Sequence, residues 1–322
     1  MTETSNTAVR RGIYTGSVVR NVRLCDEHYL VCIALESFPP SRPGQFVQLQ
    51  CRGLEEQTAL REIPWPACEF PKASQAELTN REPMLRRPLS LAGRRDLPGG
   101  GVEIDIIYRT IGAGTNWLSG IGPGQALSVL GPLGNGFAIH PEKPFAALVG
   151  GGVGIPPMLY LAAALNSAGI AAAAFVGVRS QHLLPVTIIH GSDPAADGHP
   201  TPCIREFNFL CTDAAVASDD GSIGYHGLVS EAFIRWLKAH RFGPEQVTVY
   251  ACGPEPMERS IADLCLMREI ECQLALERHM ACGMGTCQSC VVKVRDDASP
   301  DGWKFKLCCT DGPVFDATCL LW

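Results

Sequence analysis

The sequence predicts a multi-domain chain in three parts: a small antiparallel barrel, an α/β unit on a parallel sheet, and a short cysteine-rich C-terminal unit. Three observations predict it. Short β-type segments separated by turn residues fill the first third. From Phe145 strands alternate with glycine turns and helices. After Cys272 comes a tail of about 50 residues, rich in cysteine and too short to build a core without help.

The barrel, over residues 10–140, rests on six segments: Tyr14–Val19, Tyr29–Leu35, Gln45–Cys51, Pro88–Ala92, Val102–Tyr108 and Ala126–Leu130. Their modest spacing predicts a six-stranded antiparallel closure. The polar, proline-bearing stretch Arg52–Pro83 has neither helical nor strand periodicity and reads as an excursion on the barrel surface. In 141–272 the strand Phe145–Val149, the turn Gly150–Pro157 and the helix Met158–Ser167, stopped by Gly169, open a Rossmann-like unit. Further strands are expected at Ala171–Val178, Phe207–Thr212 and Val247–Ala251, with helices at Ser230–His240 and Glu255–Glu269. The uncharged run Leu148–Val178 is long enough to suggest a membrane span. Pro156, Pro157, Asn166 and six glycines cut it into strand, turn, helix and strand, and no membrane partner is expected.

With 27 Lys and Arg against 33 Asp and Glu, the net charge of −6 lacks the basic footprint of a nucleic-acid binder. Fifteen cysteines, an odd number, follow a start (Met1–Gly16) without a secretory pattern. A disulfide framework is therefore a poor reading, and a reduced, cytoplasmic compartment is expected.

The tail, over 273–322, reads Cys282-Gly-Met-Gly-Thr-Cys287-Gln-Ser-Cys290, then eighteen residues, then Cys309. C-x4-C-x2-C with a distant fourth cysteine is the ligand spacing of plant-type 2Fe–2S centres. Gly283 and Gly285 let the loop curl around an anionic cluster and aim amides at its sulfurs. A structural zinc site usually shows two C-x2-C knuckles; one such pair exists here, and zinc stands as the alternative. Spacing alone leaves Cys308, Cys309 and Cys319 open as the fourth ligand. Cys25, Cys32, Cys51, Cys68, Cys203, Cys211, Cys265 and Cys272 read as small buried hydrophobes.

In the turn after the first parallel strand, Gly151, Gly152, Gly154 and Pro156 offer backbone amides to the pyrophosphate of NAD at a helix N-terminus. A tight structural turn explains them equally well, because Pro156 alters the usual G-x-G-x-x-G order. Cys252, Gly253 and Pro254 end another strand at the carboxyl edge of the sheet, where such folds take ligands. Cys252 is placed there to face a nicotinamide ring, or is simply a buried cysteine before a helix. No acidic residue marks a ribose after Phe175–Arg179, and Arg179 suits a 2′-phosphate or solvent, so NAD and NADP stay open. The eight histidines are scattered, and no general acid or base is read.

Two barrel segments remain: Leu85-Arg86-Arg87-Pro88-Leu89-Ser90, and Ile107-Tyr108-Arg109 followed by Gly112-Ala113-Gly114-Thr115. An arginine beside a strand and a glycine-threonine turn both suit a diphosphate. The series R-P-x-S, Y-R…G-x-G-T, G-G-G-V-G-I-P-P, C-G-P and the terminal cysteine pattern resembles the electron-transfer subunits of NAD-dependent dihydroorotate dehydrogenases, among the ferredoxin-reductase-like flavoproteins. The likeness spans nearly the whole chain apart from insertions, and Leu276–Lys293 with Cys309–Phe315 carries its most specific part.

The resemblance implies that Arg87, Pro88, Leu89 and Ser90 hold the flavin, with Ser90 near its reactive face. It implies that Ile107, Tyr108, Arg109, Gly114 and Thr115 hold the rest of FAD. The family's C-x-D-G-P-V-F ending selects Cys309, beside Cys282, Cys287 and Cys290, as the fourth ligand. It further implies an FMN-bearing catalytic subunit as partner, in a heterotetramer of two catalytic and two electron-transfer chains. Electrons would pass from dihydroorotate through the 2Fe–2S cluster and FAD to NAD, in pyrimidine biosynthesis. The insertion at Arg52–Pro83 is long for that family, and its T-D-D-G-S run reads as split between Thr212-Asp213 and Asp219-Asp220-Gly221-Ser222. Two other readings are a reductase subunit of a sulfite reductase, hydrogenase or ferredoxin-NADP oxidoreductase complex, and a redox-sensing or zinc-stabilised module without flavin.

Overall fold

The structure, a computed structural model, describes residues 11–54, 83 and 85–322. Apart from its ends, the expected excursion at Arg52–Pro83 lies outside the described residues, as does Cys68.

The N-terminal sheet is built from β1 (Gly12–Cys25), β2 (His28–Leu35), β3 (Phe46–Leu49), β4 (Arg87–Ser90), β5 (Gly93–Asp96), β6 (Val102–Arg109) and β7 (Ala126–Leu133). They pair antiparallel in the order β4-β3-β7-β1-β2-β6-β5. All six expected strands are present and β5 makes a seventh, but β4 and β5 stand at the two ends without pairing to each other, so the sheet curls into an open half-barrel rather than the expected closure. Its Gly-Arg-Arg-Asp sequence carries no apolar alternation; pairing with β6 holds it, with Arg95 bridging Glu103 at 2.6 Å and Asp105 at 2.7 Å. Val31, Ile33, Val47, Leu49, Ile104, Ile106, Tyr108 and Val129 point inward and form the barrel core. A short helix, α1 (Ala113–Ser119), connects β6 to β7.

The second sheet begins with β8 (Phe145–Gly151), α2 (Ile155–Ser167) and β9 (Ala171–Val178). Helix α2 starts three residues before the expected Met158, because Pro156 and Pro157 occupy its first turn, where a missing N–H costs nothing. The next strand is displaced from the expected Phe207–Thr212. Phe207 lies in a single helical turn, α3 (Arg205–Asn208), and Cys211 at φ +54° redirects the chain into β10 (Thr212–Ser218). Beyond it come β11 (Tyr225–His226), α4 (Val229–His240), β12 (Val247–Cys252), α5 (Glu255–Met267) and β13 (Cys272–Ala275).

The cysteine-rich tail adds a hairpin, β14 (Val291–Arg295) with β15 (Trp303–Leu307), then β16 (Val314–Asp316). The order of the second sheet is β11-β10-β9-β8-β12-β13-β16, parallel except for the antiparallel β16. The tail thus supplies an edge of the parallel sheet. Cys290, Cys308, Cys309 and Phe315 share one apolar cluster with Phe46 and Leu133 of the barrel and with Ile261 and Cys265 of α5. That shared burial is the help a short tail needs.

Candidate functional site

Strand alternation decides which side chains of the barrel face outward. In β4, Leu89 packs into the barrel core, while Pro88 and Ser90 lie on the opposite face. Their partners across the ladder, Gln48 and Phe46, share that face. The same rule divides β6. Tyr108 is turned inward, 1% exposed, its hydroxyl donating to Asn21 Oδ1 at 3.1 Å. Ile107, one residue earlier, packs instead with Cys252 and Ala275 of the second sheet. Beyond Asp105, β6 is not covered by β5, which pairs only with Val102–Asp105.

Around α1, Arg87 lies across Gly114: an added Cβ there would stand 2.9 Å from the guanidinium Nε. Thr115 Oγ1 is engaged within its own turn, accepting from the Ile111 amide at 3.0 Å and the Gly112 amide at 3.3 Å. Arg109 is ion-paired with Glu27 at 2.6 Å, an exchangeable surface partner. The structure therefore brings Arg87, Gly114 and Thr115 together, and keeps the Tyr108 ring apart from them.

At the carboxyl edge of the second sheet two turns meet backbone to backbone. Gly154 sits so tightly against Cys252 that an added Cβ would overlap its carbonyl group. A Cβ on Gly151 would reach Met257 Sδ at 2.8 Å and Pro254 Cδ at 3.0 Å. By contrast Gly152, at φ +54°, faces open space. So Gly151 and Gly154 serve close packing of the strand ends, and Gly152 leaves room above the turn. Burial, with Glu258 close by, pushes the Cys252 thiol up and keeps it a neutral, apolar group.

Sequence reasoning missed Glu258. It is 1% exposed, and its Oε1 accepts from the Gly253 amide at 3.3 Å. Burial raises its carboxyl well above the usual range. The apparent split of the acidic run also resolves: Thr212 and Asp213 open β10, whereas Asp219-Asp220-Gly221-Ser222 follows its carboxyl end. There Ser222 Oγ donates to Asp220 Oδ1 at 2.6 Å and accepts from the Gln181 amide at 2.8 Å. One continuous acidic turn therefore stands beside Ser180, just past Arg179.

The cysteine loop lies against the outward face of β3. Gly283 and Gly285 take φ +69° and +92°, and the curl turns amides onto sulfur. Met284 N and Cys287 N each donate to Cys282 Sγ at 3.4 Å, and Cys309 N donates to Cys290 Sγ at 3.4 Å. The Ser289 hydroxyl, 3.2 Å from Cys287 Sγ, holds that exposed thiol down to about 6. Burial and the neighbouring Cys290 push Cys309 up to about 12. Amide donors converging on clustered thiols suit thiolate ligation of a 2Fe–2S centre. Cys308 does otherwise: it is fully buried and donates to the Leu276 carbonyl at 3.2 Å, away from the loop. Among the described residues no three His, Cys, Asp or Glu side chains are gathered as a single-ion site.

Asn135, also unforeseen, fixes this arrangement to the barrel. Its side chain donates to the Asp311 and Val314 carbonyls at 3.0 and 2.8 Å and accepts from the Val314 amide at 2.9 Å. Of the cysteines expected to be buried, Cys32, Cys51, Cys203, Cys265 and Cys272 are; Cys25 is half-buried and Cys211 exposed.

Residues 277–321 match the family described as the iron-sulfur cluster binding domain of dihydroorotate dehydrogenase B. A dihydroorotate dehydrogenase B (NAD(+)) electron transfer subunit from Geobacillus kaustophilus is 36% identical over 238 residues, 73% of this chain and 80% of the relative. One from Listeria monocytogenes is 30% identical over 302 residues, covering 93% and 95%. The chain belongs to the family of dihydroorotate dehydrogenase B electron transfer subunits. Its fold resembles the solved structure of an NADH-dependent reduced ferredoxin-NADP oxidoreductase, with a TM-score of 0.68, 24% identity and coverage of 99% and 92%. It also resembles a cytochrome P450 reductase of Amycolatopsis, with a TM-score of 0.57, 16% identity and coverage of 84% and 70%. The ferredoxin-reductase-like architecture expected from the sequence is the one observed, and the chain is an oxidoreductase subunit.

Proposed function

We propose that this chain carries electrons between a partner subunit that oxidises dihydroorotate to orotate and NAD, by way of a 2Fe–2S cluster and FAD. The observation that supports this most is the contact between the cysteine loop and the outward face of the β3–β4 pair, which sets both cofactor regions side by side. FAD, when bound, exchanges a hydride with nicotinamide and single electrons with an iron-sulfur centre, so it links two-electron and one-electron chemistry.

The residues divide the work. Arg87, Pro88, the backbone at Leu89 and Ser90 line the flavin, the Leu89 side chain being turned into the barrel core, with Ile107, the backbone at Tyr108, Arg109, Gly114 and Thr115 toward its diphosphate. Gly151, Gly152, Gly154, Pro156, Cys252, Gly253 and Pro254 shape the NAD edge, with the neutral Cys252 thiol excluding water beside the nicotinamide. Cys282, Cys287, Cys290 and Cys309 hold the cluster. We divide the chain into a flavin unit over 10–140, an NAD unit over 141–272 and a cluster unit over 273–322.

Among the described residues no helix is long and apolar enough to cross a membrane, and we place the protein in the cytoplasm. The exposed Cys287 and Met284 make the cluster loop the docking face for an FMN-bearing catalytic subunit, two of each chain forming a heterotetramer. Anaerobic purification from native cells, with mass spectrometry and a visible spectrum of the same sample, tests the reading. A stoichiometric dihydroorotate-oxidising subunit with flavin and iron-sulfur absorption is expected. A different oxidoreductase partner would move the function to that partner's reaction, and a colourless protein without a partner would end the reading.

A further inference from the structure

Gln48 is a polar residue in the wrong place for its chemistry. It sits in the middle of β3, 1% exposed, and its side-chain Nε2 is buried with no hydrogen-bond partner among the described residues. An amide donor left unpaired in the interior keeps the full cost of its lost hydration, and native proteins rarely keep one without a reason. Its position supplies the reason. Gln48 stands opposite Pro88 in the ladder, on the outward face that also carries Ser90. Its carboxamide lies on the cysteine loop: a Cβ added to Gly283 would fall 2.5 Å from Nε2 and 2.6 Å from Cδ. Gly283 directly follows Cys282, whose sulfur already accepts two backbone amides. Glycine at 283, at φ +69°, admits both the curl of the loop and the approach of this side chain.

We infer that Gln48 is a positioning and tuning residue for the iron-sulfur centre, its free Nε2–H donating to a sulfur of the cluster on the Cys282 side. The inference rests on the reading of Cys282, Cys287, Cys290 and Cys309 as cluster ligands. Hydrogen bonds to sulfur stabilise the reduced, more negative cluster and so raise its potential. The same donor sets the spacing between cluster loop and flavin strand, because it belongs to β3 and touches Gly283.

The test is an anaerobic redox titration of the full-length chain with its own flavin and iron, following the cluster by electron paramagnetic resonance and the flavin by absorbance. Gln48→Leu removes the donor, Gln48→His restores an N–H, and iron and flavin content verify that each variant is loaded. The cluster midpoint of Gln48→Leu is expected to move to more negative potential with a changed resonance signature, the flavin midpoint staying in place and Gln48→His returning toward wild type. A shift confined to the flavin would give the donor to the other cofactor and overturn the inference. Unchanged midpoints in a loaded Gln48→Leu protein would make the amide merely structural and overturn it as well. Should Gln48→Leu fail to fold, Gln48→His against Gln48→Met carries the same comparison. Absence of an iron-sulfur centre from the wild-type chain would fell the ligand reading itself, which distinguishes that failure from this one.

Discussion

Cys308 and Cys309 are chain neighbours with opposite surroundings. Cys309 meets Cys290 through its amide, whereas the Cys308 thiol is spent on the Leu276 carbonyl. Cys309→Ser should therefore strip most of the iron, and Cys308→Ser should keep close to the full complement of about two irons per chain. Iron and labile-sulfide assays check this, and equal loss in both would contradict the assignment. Glu258 makes a prediction about pH. Its carboxyl binds a proton more tightly folded than unfolded, where the ordinary value is 4.5. Above that pH the folded state holds more protons, so stability falls as pH rises toward the raised folded value. Glu258→Gln keeps an oxygen for the Gly253 amide without the ionisation. The variant should be the more stable at neutral pH, by a margin that widens toward alkaline pH in denaturant melts; a constant margin would refute the buried proton.

Among the elements, the glycine turn before α2 couples packing to the edge proposed to take the nucleotide. Gly154→Ala drives a methyl into the Cys252 carbonyl, and such overpacking costs about 1–3 kcal/mol. Gly152→Ala meets no atom and carries only the strain of φ +54°, of order 1 kcal/mol. Thermal melts should rank the two in that order. NADH binding should suffer in Gly154→Ala through displacement of the Cys252–Pro254 turn. Elements with strong local pattern were legible in the sequence: the six apolar barrel strands, the β8–turn–α2–β9 unit, and the amphipathic α4 and α5. Strand β5 was not, because charged Arg94 and Arg95 hide its pairing with β6. Nor was β10, whose Ala-Ala-Val-Ala run is a weaker signal than the apolar stretch at Phe207–Leu210 before it. The tail strand β16 has three residues and exists through its pairing with β13. The candidate ligand cysteines announce themselves by spacing, whereas Gln48 and Asn135 act through neighbours 176 or more residues away and Glu258 through burial, which no local pattern encodes.

For the whole molecule, what matters is that barrel, parallel sheet and cysteine tail share buried surface. Asn135 ties the barrel's exit to 311–314, Tyr250 of β12 donates to the Ala138 carbonyl at 2.9 Å, and β16 completes the sheet edge. Strand β4, the glycine turn before α2 and the cysteine loop are thus held by one continuous framework, as the proposed sequential electron transfer requires. The most direct measurement is an anaerobic NADH titration of the full-length flavin- and iron-loaded chain without its partner. Absorbance would follow the flavin, and electron paramagnetic resonance the cluster. The account predicts that NADH bleaches the flavin and that the reduced cluster signal appears in the same protein. A loaded chain whose flavin and cluster both ignore NADH, or whose flavin bleaches while the cluster never accepts an electron at any potential reached, would contradict it.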